Sequence, residues 1–345
     1  MHNHWKKFAV IGLIILVFPV LITFIVSRVN VNKESDVPLS GKTIVINCGS
    51  YVAEMDMENF IPCVLMAQMP IESPKEALKA QAVVIRTYIL KKMGKDNTIT
   101  NDELGLPYIS YVKLEDMWFR SYRIEHPKSV RGMLGNLTGL GKSHIFKTNM
   151  DYLNMIMEKT SMKVLKNGGE LILPLYHGIS NGITRSGKEV LGEEYSYLKS
   201  VKCNSDMEEE NFLGMQYVTT EQLKEKLKKS GIILYKENRE LFSTEDMDLQ
   251  ELVKIIDYSD KDKTSYVKTI KIADTKIAAD DFAKALELRS TSMEISEYED
   301  GIRIATKGEG HGFGMSLSYA RQLAKDGMGW EKILKTFYDA TINDY

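Results

Sequence analysis

Along the first quarter of the chain the apolar positions fall into one continuous run and one periodic one. Residues 8–26, FAVIGLIILVFPVLITFIV, hold 19 positions without a charge, and at about 1.5 Å per residue a helix of that length crosses a hydrocarbon core. Pro19 does not break the assignment, because membrane helices tolerate proline better than soluble ones. A cleaved signal peptide needs a shorter run and a small-residue site, which Val26-Ser27-Arg28-Val29 does not offer. The pattern predicts a single transmembrane anchor over 8–26. Lys6 and Lys7 keep residues 1–7 on the cytoplasmic side. Residues 27–40, with Lys33, Glu34, Asp36 and Pro38, read as a linker, leaving 41–345 as an extracytoplasmic body on a cell membrane.

Within that body Thr43, Ile44, Val45 and Ile46 predict a short β-branched strand. Ser73-Pro74-Lys75-Glu76 offers an N-cap serine, a proline at the first helical position and a glutamate three residues after the cap. From there Ala77, Leu78, Ala82, Ile85, Tyr88 and Ile89 recur at helical spacing, predicting an amphipathic helix that ends near Lys91-Lys92. Gln81 and Arg86 interrupt its small-residue surface. Residues 93–150 are rich in glycine and polar residues. Further on, 171–176, 267–272 and 302–305 read as extended, while 220–230, 280–288 and a stretch from about Tyr319 read as helical. No repeat is present, and strands and helices in this irregular order predict an α+β fold, a mixed arrangement of sheets and helices rather than a doubly wound sheet.

Composition narrows the classes. A chain of 345 residues with 43% hydrophobic residues can bury a core. Its 45 Lys+Arg against 47 Asp+Glu lack the basic excess that a phosphate backbone requires, which excludes nucleic acid as the first choice of partner. Cys48, Cys63 and Cys203 have no C-x-x-C spacing and read as buried apolar residues, with one bridge among them left open. The stretch Gly135 to Ser143 resembles a phosphate-binding loop only superficially, since Asn136 stands where the second-shortest spacing needs glycine. No G-x-S-x-G elbow marks a serine hydrolase.

Three blocks in order carry a family resemblance. The first is Ala67-Gln68-Met69-Pro70, then Pro74-Lys75-Glu76-Ala77-Leu78-Lys79-Ala80-Gln81-Ala82 and Arg86-Thr87-Tyr88. The second is Tyr176-His177 with Ser180-Asn181-Gly182-Ile183-Thr184, followed by Tyr197-Leu198-Lys199-Ser200-Val201. The third is Gly310-His311-Gly312-Phe313-Gly314-Met315-Ser316. Together they resemble the family of stage II sporulation protein D (SpoIID) and the amidase enhancer LytB, over almost everything after Gly41. The resemblance implies a protein that acts on peptidoglycan glycan strands in a spore-forming bacterium, beside a partner amidase that strips the stem peptides. It also implies a lytic transglycosylase reaction in the catalytic members. There a glutamate protonates the glycosidic oxygen after N-acetylmuramic acid, and that sugar's 6-hydroxyl closes on C1 to leave a 1,6-anhydro end. One carboxyl group can serve as acid and then base, unlike the carboxylate pair of ordinary glycoside hydrolysis.

The departures from the family matter as much. The acid position is Gln68, which has no dissociable proton. Leu317 replaces a family glutamine, and Glu309 stands where tryptophan is common. Residues 93–176 hold His126 and His144 but no cysteine, so the zinc cluster of some relatives has no counterpart; no metal or cofactor is expected. Glu72 and Glu309 are the candidates for a displaced acid. Arg86, His177, Ser180, Thr184, His311 and Ser316 are the candidates for glycan binding, the histidines because flanking glycines let backbone approach a ligand. The leading expectation is glycan binding with weak or lost cleavage. The alternatives are an active lytic transglycosylase using a displaced acid, and an amidase-enhancing partner protein.

Overall fold

The computed structural model describes residues 37–47, 49, 51–126, 140–237, 239–240, 253–299 and 301–345. The chain divides into two units, Met1–Pro38 and Leu39–Tyr345. The candidate anchor over 8–26, its head and most of the linker lie outside the described residues. Among the described residues no helix is long and apolar enough to cross a membrane.

In the unit Leu39–Tyr345, strand β1 (Thr43–Asn47) pairs antiparallel with β2 (Val52–Asp56). Asp56 then caps helix α1 (Met57–Gln68), its carboxylate accepting the Glu58 N–H at 2.9 Å. After a turn come α2 (Lys75–Met93) and β3 (Thr98–Thr100), the latter parallel to β1. Helices α3 (Tyr111–Glu125) and α4 (Leu140–Lys159) lie against each other through Trp118 and Phe146, ring centroids 5.8 Å apart. Strands β4 (Lys163–Asn167), β5 (Glu170–Leu171) and β6 (Tyr176–His177) follow. The next part holds β7 (Leu213–Thr219), α5 (Thr220–Lys229), β8 (Ile256–Asp257), β9 (Thr269–Ile272), β10 (Thr275–Ala278) and α6 (Ala279–Leu286). Strands β11 (Met293–Tyr298), β12 (Gly301–Lys307) and β13 (Met315–Ser316), helices α7 (Leu317–Lys325) and α8 (Trp330–Phe337), and β14 (Thr341–Asp344) complete it.

The sheets are small: β2-β1-β3, β8-β9-β10, β11-β12-β7, β14-β4-β5 and the parallel pair β6-β13. This is the mixed α+β arrangement that the sequence pattern predicts. Apolar faces of β7, β9, β11 and β12 close on α5 and α6 around Ile270, Phe282, Leu286 and Ile304. The other packing centre is α2. Its neighbours α1, α4, α7, α8 and β4 cover it on nearly every side, so Gln81, Arg86 and Thr87 are as buried as its alanines. The predicted amphipathic helix is thus a central one, made possible by alanines that let neighbours approach closely.

Burying Arg86 requires an answering charge. Its guanidinium forms two parallel bonds to Glu58 of α1, each 2.7 Å, and donates to the carbonyl of Thr160 at 2.9 Å. Both side chains are shut off from solvent, which is the condition under which an unpaired charge is most costly.

Several expectations change on contact with the structure. Helix α2 begins one residue later than its capping signal suggests: Pro74 is the cap residue, and the Ser73 hydroxyl has no hydrogen-bond partner among the described residues. Glu76 does not close a capping box, because it binds Lys79 and the Trp330 N–H (3.1 Å), tying α2 to α8. The glycine-bearing, polar region contains two long helices, α3 and α4, and Gly141 to Ser143 lie inside α4. The extended run at 171–176 is split between β5 and β6. Cys63 and Cys203 are buried free thiols, and burial pushes the Cys63 thiol up to about 12; Cys48 lies outside the described residues.

Removing one member of the buried pair, as in Arg86→Met or Glu58→Gln, is expected to cost about 3–5 kcal/mol in urea unfolding. The double replacement should cost less than the two singles together, since no charge is left unanswered.

Candidate functional site

Helix α1 ends at Gln68 because Met69 turns extended (φ −138°, ψ 136°) and Pro70 follows. The Ser73 N–H closes the turn on the Pro70 carbonyl at 3.0 Å. Between this turn and α3 lies an open cleft of about 340 Å³, walled by Gln68, Met69, Pro70, Ile71 and Glu72 on one side and by Met117, Trp118 and Ser121 on the other.

Gln68 is held at both ends of its amide. Its Oε1 accepts from Gln81 Nε2 at 2.6 Å, and its Nε2 donates to the Tyr176 hydroxyl at 2.5 Å. Gln81 is wholly buried on α2, and its own Oε1 has no hydrogen-bond partner among the described residues. Burial also raises the Tyr176 phenol above its ordinary range, so it stays neutral. Glu72 is exposed at the rim of the same cleft.

Strand alternation decides what β6 does next. Tyr176 faces Gln68, so His177 must point to the opposite face, where it meets the glycine-rich segment before β13. His177 Nδ1 donates to the Phe313 carbonyl at 3.0 Å, and its buried Nε2 has no hydrogen-bond partner among the described residues. The His311 ring lies 5.9 Å away, its Nδ1 accepting the Phe313 N–H at 3.1 Å. Burial, with His311 nearby, lowers His177 to about 3. Burial and the Arg185 charge lower His311 to about 4. Both imidazoles are therefore neutral at ordinary pH. Arg185 is itself fixed by Asp262 at 2.6 Å and stacks over the Phe313 ring at 4.3 Å.

The serines of the second and third motif blocks converge on one buried carboxylate. Asp206 Oδ2 accepts from the Ser180 N–H (2.8 Å), the Ser180 hydroxyl (2.7 Å) and the Ser316 hydroxyl (2.7 Å). Burial raises its pKa, opposed by these hydrogen bonds. Ser316 also caps α7 through the Tyr319 N–H. Thr184 donates to the Lys199 carbonyl at 2.9 Å and accepts from the Val201 N–H at 2.8 Å. Gly314 has φ +69°, and a Cβ there would run into the Leu175 carbonyl. Only glycine allows β13 to seat beside β6.

Of the residues singled out from sequence, the cleft brings together Gln68 and Glu72. Glu309 is not among its walls; its exposed carboxylate pairs with Arg289 at 2.6 Å. Arg86 is spent on Glu58 inside the core. His177, Ser180, Thr184 and Ser316 are buried within the scaffold, and His311 is half-buried there. Sequence reasoning passed over Asp206, Trp118 and the role of Gln81. A polar side chain interrupting the small-residue face of α2 was the available signal for Gln81; Asp206 lies outside every motif block and gave none.

The comparisons with known proteins fall on this architecture. The family model for SpoIID, stage II sporulation protein, matches residues 49–126, which include Gln68, Gln81 and both walls of the cleft. Beyond that segment the chain is similar to stage II sporulation protein D of Bacillus subtilis (strain 168), at 24% identity over 298 residues, 84% of this chain and 75% of that protein. The protein of the same name from Bacillus amyloliquefaciens is 24% identical over 295 residues, 83% of this chain and 74% of that one. An amidase enhancer of Bacillus subtilis (strain 168) is 23% identical over 321 residues, 81% of this chain but 39% of that longer protein. The resemblance read from the three motif blocks and these matches agree.

Two outcomes test the scaffold. Asp206→Ala strands two buried hydroxyls and should cost about 2–5 kcal/mol in urea unfolding. The depressed histidines set a pH dependence: the unfolded chain protonates its imidazoles near 6.5, while His177 and His311 hold out to about 3 and about 4. Their contribution is present in full above that upper value and is lost as pH falls through the window. Asp206, raised rather than lowered, works in the opposite sense. His311→Asn should flatten the acid limb of a stability-versus-pH curve, and an unchanged limb would contradict the assignment.

Proposed function

We infer that this chain is a SpoIID-type cell-wall protein that binds peptidoglycan glycan strands freed of stem peptides in the cleft at Gln68, cleaving them weakly or not at all. In this reading residues 8–26 anchor it in the cell membrane, the body faces outward, and it assists a cell-wall amidase during sporulation. The supports are the family model over the cleft, the relatives named for stage II sporulation and for amidase enhancement, and the motif order.

The observation that carries the reading is the setting of Gln68. Gln81 Nε2 and the Tyr176 hydroxyl flank it at 2.6 and 2.5 Å. Both groups are able to donate to a carboxylate, so the surroundings suit a glutamate. An amide in that place hydrogen-bonds a sugar but supplies no proton. General acid-base catalysis contributes about 10² to 10⁴-fold, and that factor is what the substitution removes. Met117 and Trp118 on the opposite wall offer an apolar surface to a sugar ring. A second reading is favoured by one residue. Glu72 stands exposed in the same cleft, where it would serve as a displaced acid for an active lytic transglycosylase.

Amidase-treated peptidoglycan incubated with the chain, and analysed by mass spectrometry for 1,6-anhydro ends, separates the readings. The natural chain should bind the glycan and leave it intact, while Gln68→Glu should raise anhydro ends by about 10²-fold or more. Enzyme-like turnover by the natural chain that disappears in Glu72→Gln would establish the second reading instead. Failure of both chains to bind insoluble glycan would sink the binding role.

A further inference from the structure

The sheet β11-β12-β7 ends on β7, and among the described residues no strand pairs with its far edge. Exposed edges are normally blunted by proline, lysine, inward charge or a bulge. Strand β7, LGMQYVT, has none of the first three over its seven residues and pairs with β12 in unbroken register. It instead presents Leu213, Met215 and Tyr217 at 64, 60 and 53% exposure. Such an edge is an adhesive one.

The backbone shows which groups are unspent. The Gly308 N–H donates to the Phe212 carbonyl at 2.8 Å, continuing the register in which Leu213 opposes Lys307. In an antiparallel ladder opposed residues alternate between bonded and non-bonded pairs. The even-numbered residues of β7 therefore face β12, and the odd ones turn N–H and C=O outward. Thr219 fits this rule, and its outward N–H is already taken by the Gln222 side chain at 3.1 Å. That leaves Leu213, Met215 and Tyr217, a set symmetric about Met215.

We propose that β7 pairs with β7 of a second copy of this chain, antiparallel about a two-fold axis at Met215, joining two three-stranded sheets into one of six strands. In this register Leu213 opposes Tyr217 of the other copy and Met215 opposes itself. The three outward residues are all used, each pair exchanging two N–H···O bonds, and the capped Thr219 is left out. Charge complementarity names the occupant. A two-fold edge sets residues opposite their own kind, so any charge on it would meet its like, and β7 carries no charge. Arg303 and Lys307 lie one strand inward on β12. The two copies of β12 are three strand spacings apart, roughly 14 Å, which exceeds the screening length of about 8 Å at physiological salt. The inference is independent of the glycan reading.

Cysteine cross-linking of the full chain, in a Cys48→Ser background, tests both pairing and register. Met215→Cys should give a disulfide-linked dimer under mild oxidation, because directly opposed bonded residues lie about 5.5 Å apart, within disulfide reach. Leu213→Cys alone should not, since its copies sit roughly 14 Å apart, but mixed Leu213→Cys and Tyr217→Cys chains should. Met215→Lys, an exposed change that sets two ammonium groups face to face, should shift the sedimenting species from dimer to monomer. The proposal is overturned if Met215→Cys fails to cross-link, if Leu213→Cys cross-links with itself as readily, or if the natural chain sediments as a monomer that pairs only when another protein is added.

Discussion

The fold is organised around a single guanidinium. Arg86 sits where α1, α2, the end of α4 and the start of β4 meet, and its bonds to Glu58 and to the Thr160 carbonyl give those elements one shared reference point. A charge in that location is unfavourable unless every donor is answered, so the packing around it tolerates little variation. One consequence is positional. Gln81 lies five residues earlier on the same helix, and its reach to Gln68 is set by how α1 and α2 are locked together.

The cleft and the glycine-rich scaffold communicate through the short strand β6. Its two residues look in opposite directions, Tyr176 to the amide of Gln68 and His177 to the carbonyl of Phe313. Parallel pairing with β13 fixes both at once. Asp206 binds the loops after β6 and at the start of α7 from behind. Most motif residues of the second and third blocks are thus committed to holding a two-residue strand in place. Their side chains are used for construction, and the one that meets the cleft residue Gln68 directly is Tyr176.

That division explains what was legible in the sequence. The α+β class, β1, the body of α2, α5, α6 and α7 follow from periodicity and cap chemistry. Helices α3 and α4 did not, because the glycines around residues 133–141 and scattered polar residues obscured their apolar stripes. Gln68 and Glu72 were identifiable from the first motif and do share a cleft. Arg86, Ser180, Thr184 and Ser316 carry polar groups in motif positions, which reads equally as ligand binding or as internal hydrogen bonding; only burial separates the two. Asp206 was invisible because its partners lie 26 and 110 residues away.

Strand β4 carries a temporal constraint. Its Leu165 and Val164 are buried, yet its neighbour β14 lies about 178 residues further along the chain. At roughly 5–20 residues per second of synthesis, that separation corresponds to about 10–35 s during which one flank of β4 has no partner. Pairings of such long range are entropically late and slow. The nascent chain therefore spends that interval as a client for holding factors, and its native core closes only after β14 has been made.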